Sequence, residues 1–462
     1  MGDELEKYYE EDYDKKDEEP EVKYEKHLLS LKANAIYPGE NDEYEEDKAE
    51  IGVFHLIKRG RKRVLRILNG TEIIDKDFFQ NFHNIKTIYI PKTVKKIDPE
   101  AFFELYCLEK IVVHKDNPYF DSRNDCNAII ETKTNKLIVG SNNTIIPEGV
   151  VTIEKFAFYY CESLKSIYIP KTVKRIKKDA FFCSCFTVES IIVDKDNPYY
   201  DSRNNCNAII ETKTNNLLIG CKNTIIPEDV LSIGSNSFCC VPLTKIYIPK
   251  NVLFIGERVF LACFYLNEIS VDKDNPNYDS RNNCNAIIET KTNKLICSSA
   301  STFIPESVTS FDEWAFRESP IKNLIIPNTI KKLPSGTFFC CNYLESIKLP
   351  DDIAAIPNYF FKFCNKLKSI EIPKNVKSIG ISAFESCTNL KNVNFNDNLE
   401  SIRKKAFIGC NKLKSIKLPN NLKSVGPIAF ACCKNLEDVK INKKNTYVAK
   451  DAFEFCEKLK MK

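Results

Sequence analysis

The sequence predicts an α/β-type repeat solenoid, in which short parallel strands and one-turn helices stack as turns of about 23 residues. The first observation is a spacing of 23 residues between successive cysteines from Cys341 to Cys456. The second is an Ala-Phe element that recurs thirteen times. Its first phenylalanines are Phe78, Phe102, Phe158, Phe181, Phe238, Phe260, Phe316, Phe338, Phe361, Phe384, Phe407, Phe430 and Phe453. One such unit cannot bury its own apolar face, so the units must stack on one another.

The third observation is that three gaps between these phenylalanines are longer by about 33 residues and hold nearly identical inserts. In each insert, N-A-I-I-E-T and a second apolar run flank K-T-N, which predicts a β-hairpin with a polar turn. We expect the three hairpins to project in register along one side of the stack. The length of the chain is therefore explained by many small turns and three hairpins rather than by several globular domains.

Each unit is predicted to contain three elements. L-x-x-I-x-I alternates with period two, which predicts a short strand with Leu and both Ile facing inward. The proline that follows ends the strand, since it cannot donate to a strand ladder. V-x-x-I-G forms a second extended piece. A-F-x-x-C-x-x-L is predicted to form a single helical turn, in which Phe fills the core and Ala and Cys allow close packing.

The predicted organisation begins with an acidic N-terminal arm, residues 1–50, which holds 19 Asp and Glu against 7 Lys and Arg. We expect it to be disordered, although a partner-binding tail has the same composition. Residues 51–75 are predicted to form a hairpin cap, in which the basic run Lys58–Arg63 is a solvated turn with Gly60 at its tip. Turns with the three inserts occupy 76–318, and regular 23-residue turns occupy 319–462, so the solenoid spans 51–462.

The sequence argues against an enzyme. All four histidines, His27, His55, His83 and His114, lie in the first quarter of the chain. We find no nucleophile–base pair, no paired catalytic acids and no phosphate-binding loop. No cofactor or catalytic residue is therefore predicted. The N-terminus also has no signal-peptide pattern, and no apolar run reaches the ~20 residues that a membrane span needs.

The cysteines and the acidic clusters have structural explanations. The cysteine column is predicted to be a set of small buried apolar side chains, because Leu105, Ser184 and Ser319 occupy its position in other turns. No metal site is predicted, since the Cys-Cys pairs lack zinc spacing and no histidine is near. The D-x-D-N-P-x-x-D segments, such as Asp194–Asp201, are predicted to form turns rather than calcium sites.

Binding is predicted at the strand residue that lies between the two inward isoleucines and faces outward. The candidates are Tyr89, Tyr168, Tyr247, Lys348, Glu371 and Lys417. Tyrosine is enriched in interface hot spots, so a tyrosine stripe suits a protein ligand. The alternative is that duplication copied the tyrosines together with the rest of each unit.

The repeat, for example Leu367–Cys387, resembles the BspA-type leucine-rich repeat, and Asp196–Thr212 is similar to the hairpin insert of bacterial members. The resemblance implies a non-catalytic, adhesin-like protein that binds host or extracellular-matrix proteins at the cell surface. The missing signal peptide and membrane span instead favour the cytoplasm and an intracellular leucine-rich repeat scaffold for protein–protein interaction. Nucleic acid is not expected as a partner, because the C-terminal lysines are scattered over every turn. The last turn has no obvious polar cap, so we expect that end to be available for self-association.

Overall fold

The structure is a computed structural model that describes residues 47–51, 54–59, 62–80, 82, 84–442 and 444–459. Most of the predicted acidic arm, together with Gly60 and residues 460–462, lies outside the described residues. The chain divides into two compact units, Met1–Pro147 and Glu148–Lys462. The predicted boundaries at residues 50, 75 and 318 stay predictions.

The described part of the first unit holds strands from the hairpin to the first insert. They are β1 (Asp47–Ile51), β2 (Phe54–Arg59), β3 (Lys62–Ile67), β4 (Ile73–Ile74), β5 (Thr87–Ile90), β6 (Lys96–Ile97), β7 (Lys110–Val113), β8 (Phe120–Asp121), β9 (Ile129–Glu131) and β10 (Lys136–Val139). β1, β2 and β3 are antiparallel neighbours. β3 then pairs parallel with β5, and β5 pairs parallel with β7. The hairpin therefore continues the strand ladder of this unit, and its role as a cap stays a prediction.

The second unit contains two series of short parallel strands, which we call ladders and which hydrogen-bonded pairing divides into several sheets. The first ladder comes from L-x-x-I-x-I and contains β12 (Ser166–Ile169), β14 (Ser190–Val193), β19 (Lys245–Ile248), β21 (Glu268–Val271), β26 (Asn323–Ile325), β27 (Ser346–Lys348), β29 (Ser369–Glu371), β31 (Asn392–Asn394), β33 (Ser415–Lys417) and β35 (Asp438–Lys440). The second ladder comes from V-x-x-I-G and contains β11 (Thr152–Ile153), β13 (Arg175–Ile176), β18 (Ser232–Ile233), β20 (Phe254–Ile255), β25 (Ser310–Phe311), β28 (Ala355–Ile356), β30 (Ser378–Ile379), β32 (Ser401–Ile402), β34 (Ser424–Val425) and β36 (Tyr447–Val448). The predicted solenoid with short parallel strands is confirmed.

The inserts form the predicted hairpins. In the second unit they are β15 (Tyr200–Asp201), β16 (Ala208–Glu211) and β17 (Asn216–Gly220), then β22 (Tyr278–Asp279), β23 (Ala286–Glu289) and β24 (Lys294–Ser298). β16 pairs antiparallel with β17, and β23 with β24. The last strands of the two inserts, β17 and β24, pair parallel with β18 and β25 of the second ladder. The hairpins are thus built into that ladder instead of projecting freely from it.

The predicted one-turn helices, and with them the α/β description, are only partly supported. No α-helix occurs in the described residues, and the 3₁₀ helices there are Pro99–Phe102, Arg123–Asp125, Arg203–Asn205 and Arg281–Asn283. Only the first of these lies in an Ala-Phe segment.

Backbone bonds between turns explain the missing helices. In the turn around Phe361, Tyr359 and Phe363 are left-handed, with φ of 56° and 64°. The N–H groups of Tyr359, Phe361 and Phe363 donate to carbonyls of the next turn at 2.7–2.8 Å. An N–H group that donates to the next turn of the stack is not available for the i→i−4 hydrogen bond of an α-helix.

The core consists of side-chain columns that run from turn to turn. Phe384, Phe407, Phe430 and Phe453 stack face to face with ring centroids 4.8, 5.0 and 5.3 Å apart. Beside them the column cysteines from Cys341 to Cys433 are buried, as predicted, and Cys456 at the end is half-buried. Each of these thiols donates to a phenylalanine carbonyl of the preceding turn. Cys387 does so to Phe361 at 3.1 Å. No helix in the described residues is long and apolar enough to cross a membrane.

Candidate protein-binding face

The six predicted binding residues all lie on strands of the parallel ladders, but in different units. Tyr89 is on β5 of the first unit and is half-buried. The other five lie on the first ladder of the second unit. Tyr168 and Tyr247 are 44% and 45% exposed. Lys348, Glu371 and Lys417 are exposed on β27, β29 and β33.

Tyr168 and Tyr247 are held in fixed positions by the acidic segments that follow the neighbouring strands. The Tyr168 hydroxyl donates to Asp194 Oδ2 at 2.5 Å, and the Tyr247 hydroxyl donates in the same way to Asp272. These hydrogen bonds to a carboxylate raise the pKa of both tyrosines to about 12. The same bonds lower the pKa of Asp194 and Asp272. Each ring is therefore exposed and anchored at its far end.

The acidic segments themselves form the predicted turns. Asp194 Oδ1 accepts from the Asp196 backbone N–H at 2.9 Å, an Asx-type turn. The buried Asn197 side chain donates to the carbonyls of Pro170 and Val173 in the preceding turn, at 2.8 and 3.0 Å. The prediction of turn chemistry at these carboxylates is confirmed.

Tyr89 has different surroundings from the other two tyrosines. In the first insert His114 stands where the later inserts have Asp194 and Asp272. His114 Nδ1 accepts from the Asp116 backbone N–H at 3.2 Å, so it keeps the turn. The Tyr89 ring instead carries the Arg66 guanidinium, 3.9 Å from its centroid. Tyr89 is thus partly covered by a cation.

Strand register places an exposed apolar residue beside Tyr168 that is not among the predicted binding residues. Tyr168 pairs with Ile192 on β14, whose side chain is exposed. Further along the ladder, exposed Ile325 pairs with Lys348. The repeat itself indicates this residue, since Ile192 holds the same strand position as Tyr168 in the next turn. We call Tyr168, Ile192 and Tyr247 the tyrosine face.

The rest of the first ladder presents polar side chains. Glu371 pairs with Asn394, and Lys417 pairs with Lys440. All four side chains are exposed. The face therefore changes along the ladder from aromatic and apolar to polar and basic, which fits a partner with both apolar and acidic contacts.

A cavity of about 280 Å³ lies elsewhere in the second unit, around the single tryptophan of the chain. The guanidinium carbons of Arg258 and Arg317 lie 5.1 and 4.7 Å from the Trp314 ring centroid. Buried Arg258 Nε has no hydrogen-bond partner. Two guanidiniums stacked on one ring can donate hydrogen bonds to a carboxylate. No sequence pattern indicates this cavity, because an insert separates Arg258 from Trp314.

Metal-ligand geometry occurs once among the described His, Cys, Asp and Glu side chains, at Cys183, Cys239 and Cys240. The acidic turns are not part of it. The sequence analysis predicted no metal site, because these cysteines lack a recognisable spacing.

Comparison with known proteins identifies the repeat. The family model described as BspA type leucine rich repeat region matches in six copies, over residues 62–129, 129–218, 204–297, 286–410 and 354–461. No curated protein matches the chain significantly.

Several solved structures are similar to the chain over most of its length. A leucine-rich cell surface protein from Faecalibacterium prausnitzii is 20% identical, with a TM-score of 0.33, covering 90% of this chain and 94% of that one. A leucine-rich repeat protein from Bacteroides ovatus is 18% identical, with a TM-score of 0.37, covering 92% and 94%. The pneumococcal vaccine antigen PcpA is 15% identical, with a TM-score of 0.30, covering 90% and 86%.

Proposed function

The chain belongs to the BspA-type leucine-rich repeat family, and on this premise we propose that it is a non-catalytic solenoid that binds a partner protein through the tyrosine face. In this proposal it acts as an adhesin-like recognition protein, whose ligand is a host or extracellular-matrix protein.

The observation that carries the proposal is the anchoring of two exposed tyrosines. A free tyrosine loses side-chain entropy when a partner immobilises it. Tyr168 and Tyr247 have already lost part of that freedom, because their hydroxyls are hydrogen-bonded to Asp194 and Asp272. Rigid aromatic side chains give large contact area at low entropic cost. Ile192 beside Tyr168 adds apolar area to the same patch.

The test compares two double variants of the full chain. Tyr168→Ala with Tyr247→Ala removes the aromatic part of the tyrosine face. Tyr199→Ala with Tyr265→Ala is the matched control, because those tyrosines are 43% and 58% exposed and lie off the first ladder. Retention on immobilised extracellular-matrix proteins is measured by surface plasmon resonance. We expect the first variant to lose at least about tenfold in affinity and the control to keep it, since interface tyrosines contribute about 2 kcal/mol or more. Equal binding by both variants would contradict the proposal.

An intracellular scaffold is the alternative class, and the twenty unpaired cysteines favour it, since reduced thiols suit the cytosol. Antibody staining of intact and permeabilised cells separates the two. Signal on intact cells supports the adhesin. Signal only after permeabilisation supports the scaffold, and then the same two variants are compared by capture of intracellular proteins.

A further inference from the structure

Three cysteine side chains from two neighbouring turns meet at one point in the second unit. Cys240 Sγ lies 2.8 Å from Cys183 Sγ, and Cys239 Sγ lies 3.5 Å from Cys183 Sγ and 3.8 Å from Cys240 Sγ. Cys183 and Cys239 are buried, and Cys240 is half-buried. We call these three residues the thiol cluster.

The repeat geometry brings the cluster together across an insert. Cys183 and Cys240 each stand two residues after the first phenylalanine of their turns, Phe181 and Phe238. Both have left-handed backbones, with φ of 54° and 61°. The Asn236 side chain donates to Asp179 Oδ1 at 2.7 Å and ties the two segments together. Equivalent positions in adjacent turns thus become neighbours although they are 57 residues apart in sequence.

We propose that the thiol cluster binds one thiophilic divalent cation, Zn(II), through three thiolates. Zinc–sulfur bonds of about 2.3 Å in tetrahedral geometry place the sulfurs about 3.8 Å apart. Two of the three separations are 3.5 and 3.8 Å, and the third opens by about 1 Å on binding. The half-buried side of Cys240 gives the ion a path from solvent and leaves the fourth position to water.

Charge favours a divalent ion over a monovalent one. On binding, three S–H bonds are replaced by three S–Zn bonds and three protons leave to solvent, so the occupied cluster carries one negative charge. Cu(I) in the same place would leave two negative charges in a buried site, which is less favourable.

The thiol cluster also differs from the buried cysteine column in its hydrogen bonds. The Cys240 thiol donates to Cys183 Sγ at 2.8 Å, and Cys239 Sγ lies within hydrogen-bond distance of both other sulfurs. A column thiol instead donates to a phenylalanine carbonyl of the preceding turn, as Cys387 does to Phe361 at 3.1 Å. The cluster is therefore chemically unlike the column, although both belong to the same repeat.

A matched control exists within the chain. Cys340 holds the same position after Phe338 and is also half-buried, but Glu318 and Phe363 stand at that position in the flanking turns. Among the described residues it belongs to no group with metal-ligand geometry. Cys340→Ser therefore removes a comparable thiol without touching the cluster.

The experiment titrates the fully reduced, full-length protein with Cd(II) under nitrogen, because Cd(II) has the charge and thiol preference of Zn(II) and its thiolate bonds absorb in the ultraviolet. Zn(II) is then added in competition. We expect one tight equivalent in the wild type and in Cys340→Ser, and a loss of at least about 100-fold in affinity in Cys183→Ser and Cys240→Ser. Circular dichroism checks that each variant is folded. Cys240→Ser should disturb the fold less than Cys183→Ser, because Cys240 is half-buried and Cys183 is buried.

Alkylation mapping gives an independent measure in the unmutated protein. Bound Cd(II) should slow iodoacetamide labelling of Cys240 by about tenfold or more, with Cys107 unchanged because it is exposed and outside the cluster. The proposal is overturned if Cys240→Ser keeps the tight equivalent, if Cys340→Ser loses it equally, or if Cd(II) leaves Cys240 labelling unchanged. A Cys183–Cys240 disulfide that persists in the reduced preparation would overturn it as well.

Discussion

At the scale of single residues, the cysteine column shows how one side chain links two turns. Cys364, Cys387 and Cys410 donate to Phe338, Phe361 and Phe384 at 3.1, 3.1 and 3.2 Å. A small thiol fills the space beside the phenylalanine and gives a second hydrogen bond to a carbonyl that already accepts a backbone N–H, as the Phe361 carbonyl does from Cys364. The sequence predicted the burial from the spacing, but the hydrogen bond depends on where the neighbouring turn lies and could not be predicted.

Buried column thiols should be unreactive in the folded protein. Burial raises the pKa of Cys387, and the thiolate is the form that reacts. We expect iodoacetamide at pH 8 to label exposed Cys107 at least about 100-fold faster than Cys387, as measured by peptide mass spectrometry. Denaturant should abolish the difference. Equal labelling of the two in the native state would mean that the column is not buried.

The insert carboxylate Asp201 should give the protein part of its acid sensitivity. Burial alone raises the pKa of Asp201, but hydrogen bonds from the Arg203 guanidinium at 2.6 and 2.7 Å outweigh it and the net effect lowers that pKa. The pair therefore stabilises the fold above the unfolded pKa of about 3.9, and this stability is lost as pH falls through the lower folded pKa.

Asp201→Asn should accordingly lower the free energy of unfolding by about 1–3 kcal/mol at pH 7. Between pH 5 and pH 3, the free energy of unfolding of this variant should fall by less than that of the wild type. Urea midpoints at each pH measure this. Asp438→Asn, at an exposed strand position, is the control and should follow the wild type. If the Asp201→Asn variant were as acid-sensitive as the wild type, the Asp201–Arg203 pair would not contribute to the acid sensitivity.

At the scale of elements, period-two patterns predicted the strands and the insert hairpins correctly, because alternation is a local property of the sequence. The Ala-Phe segments were predicted as helices and are mostly not helical. Their N–H groups bond to the next turn, which a single repeat cannot reveal. The thiol cluster and the Trp314 cavity were missed for the same reason, since inserts separate their residues in sequence but not in space.

Tyrosine side chains of the inserts also accept hydrogen bonds from backbone N–H groups of the second ladder. The Tyr200 hydroxyl accepts from the Ile176 backbone N–H at 2.9 Å, and Tyr278 does the same for Ile255 at 3.1 Å. In the first insert Phe120 stands at this position and has no hydroxyl. The second-ladder strand β13 therefore depends on a hydroxyl where another strand would otherwise pair.

Tyr200→Phe should leave the Ile176 amide without its partner. We expect a loss of about 1–3 kcal/mol in the free energy of unfolding and faster hydrogen exchange over Arg175–Ile176. Tyr199→Phe is the control, because that exposed tyrosine has its ring in solvent. Unchanged exchange in Tyr200→Phe would show that water satisfies the amide equally well.

At the scale of the whole molecule, the repeat gives a scaffold on which three duplicated inserts have come to differ. The second and third inserts supply Asp194 and Asp272, which anchor Tyr168 and Tyr247, whereas the first supplies His114 and leaves Tyr89 under Arg66. Duplication explains why tyrosine recurs, but it does not explain why two of the three rings are anchored and exposed. That difference is the reason for placing binding in the second unit.

Site-specific photo-crosslinking tests the protein-binding claim most directly. A photoreactive phenylalanine analogue is placed at position 168, at position 247 or at control position 199 of the full chain, and the cells that make it are irradiated. We expect a crosslinked partner protein of the same mass from positions 168 and 247, and none from position 199. Crosslinks of equal yield at 199, or none at 168 and 247, would contradict the claim.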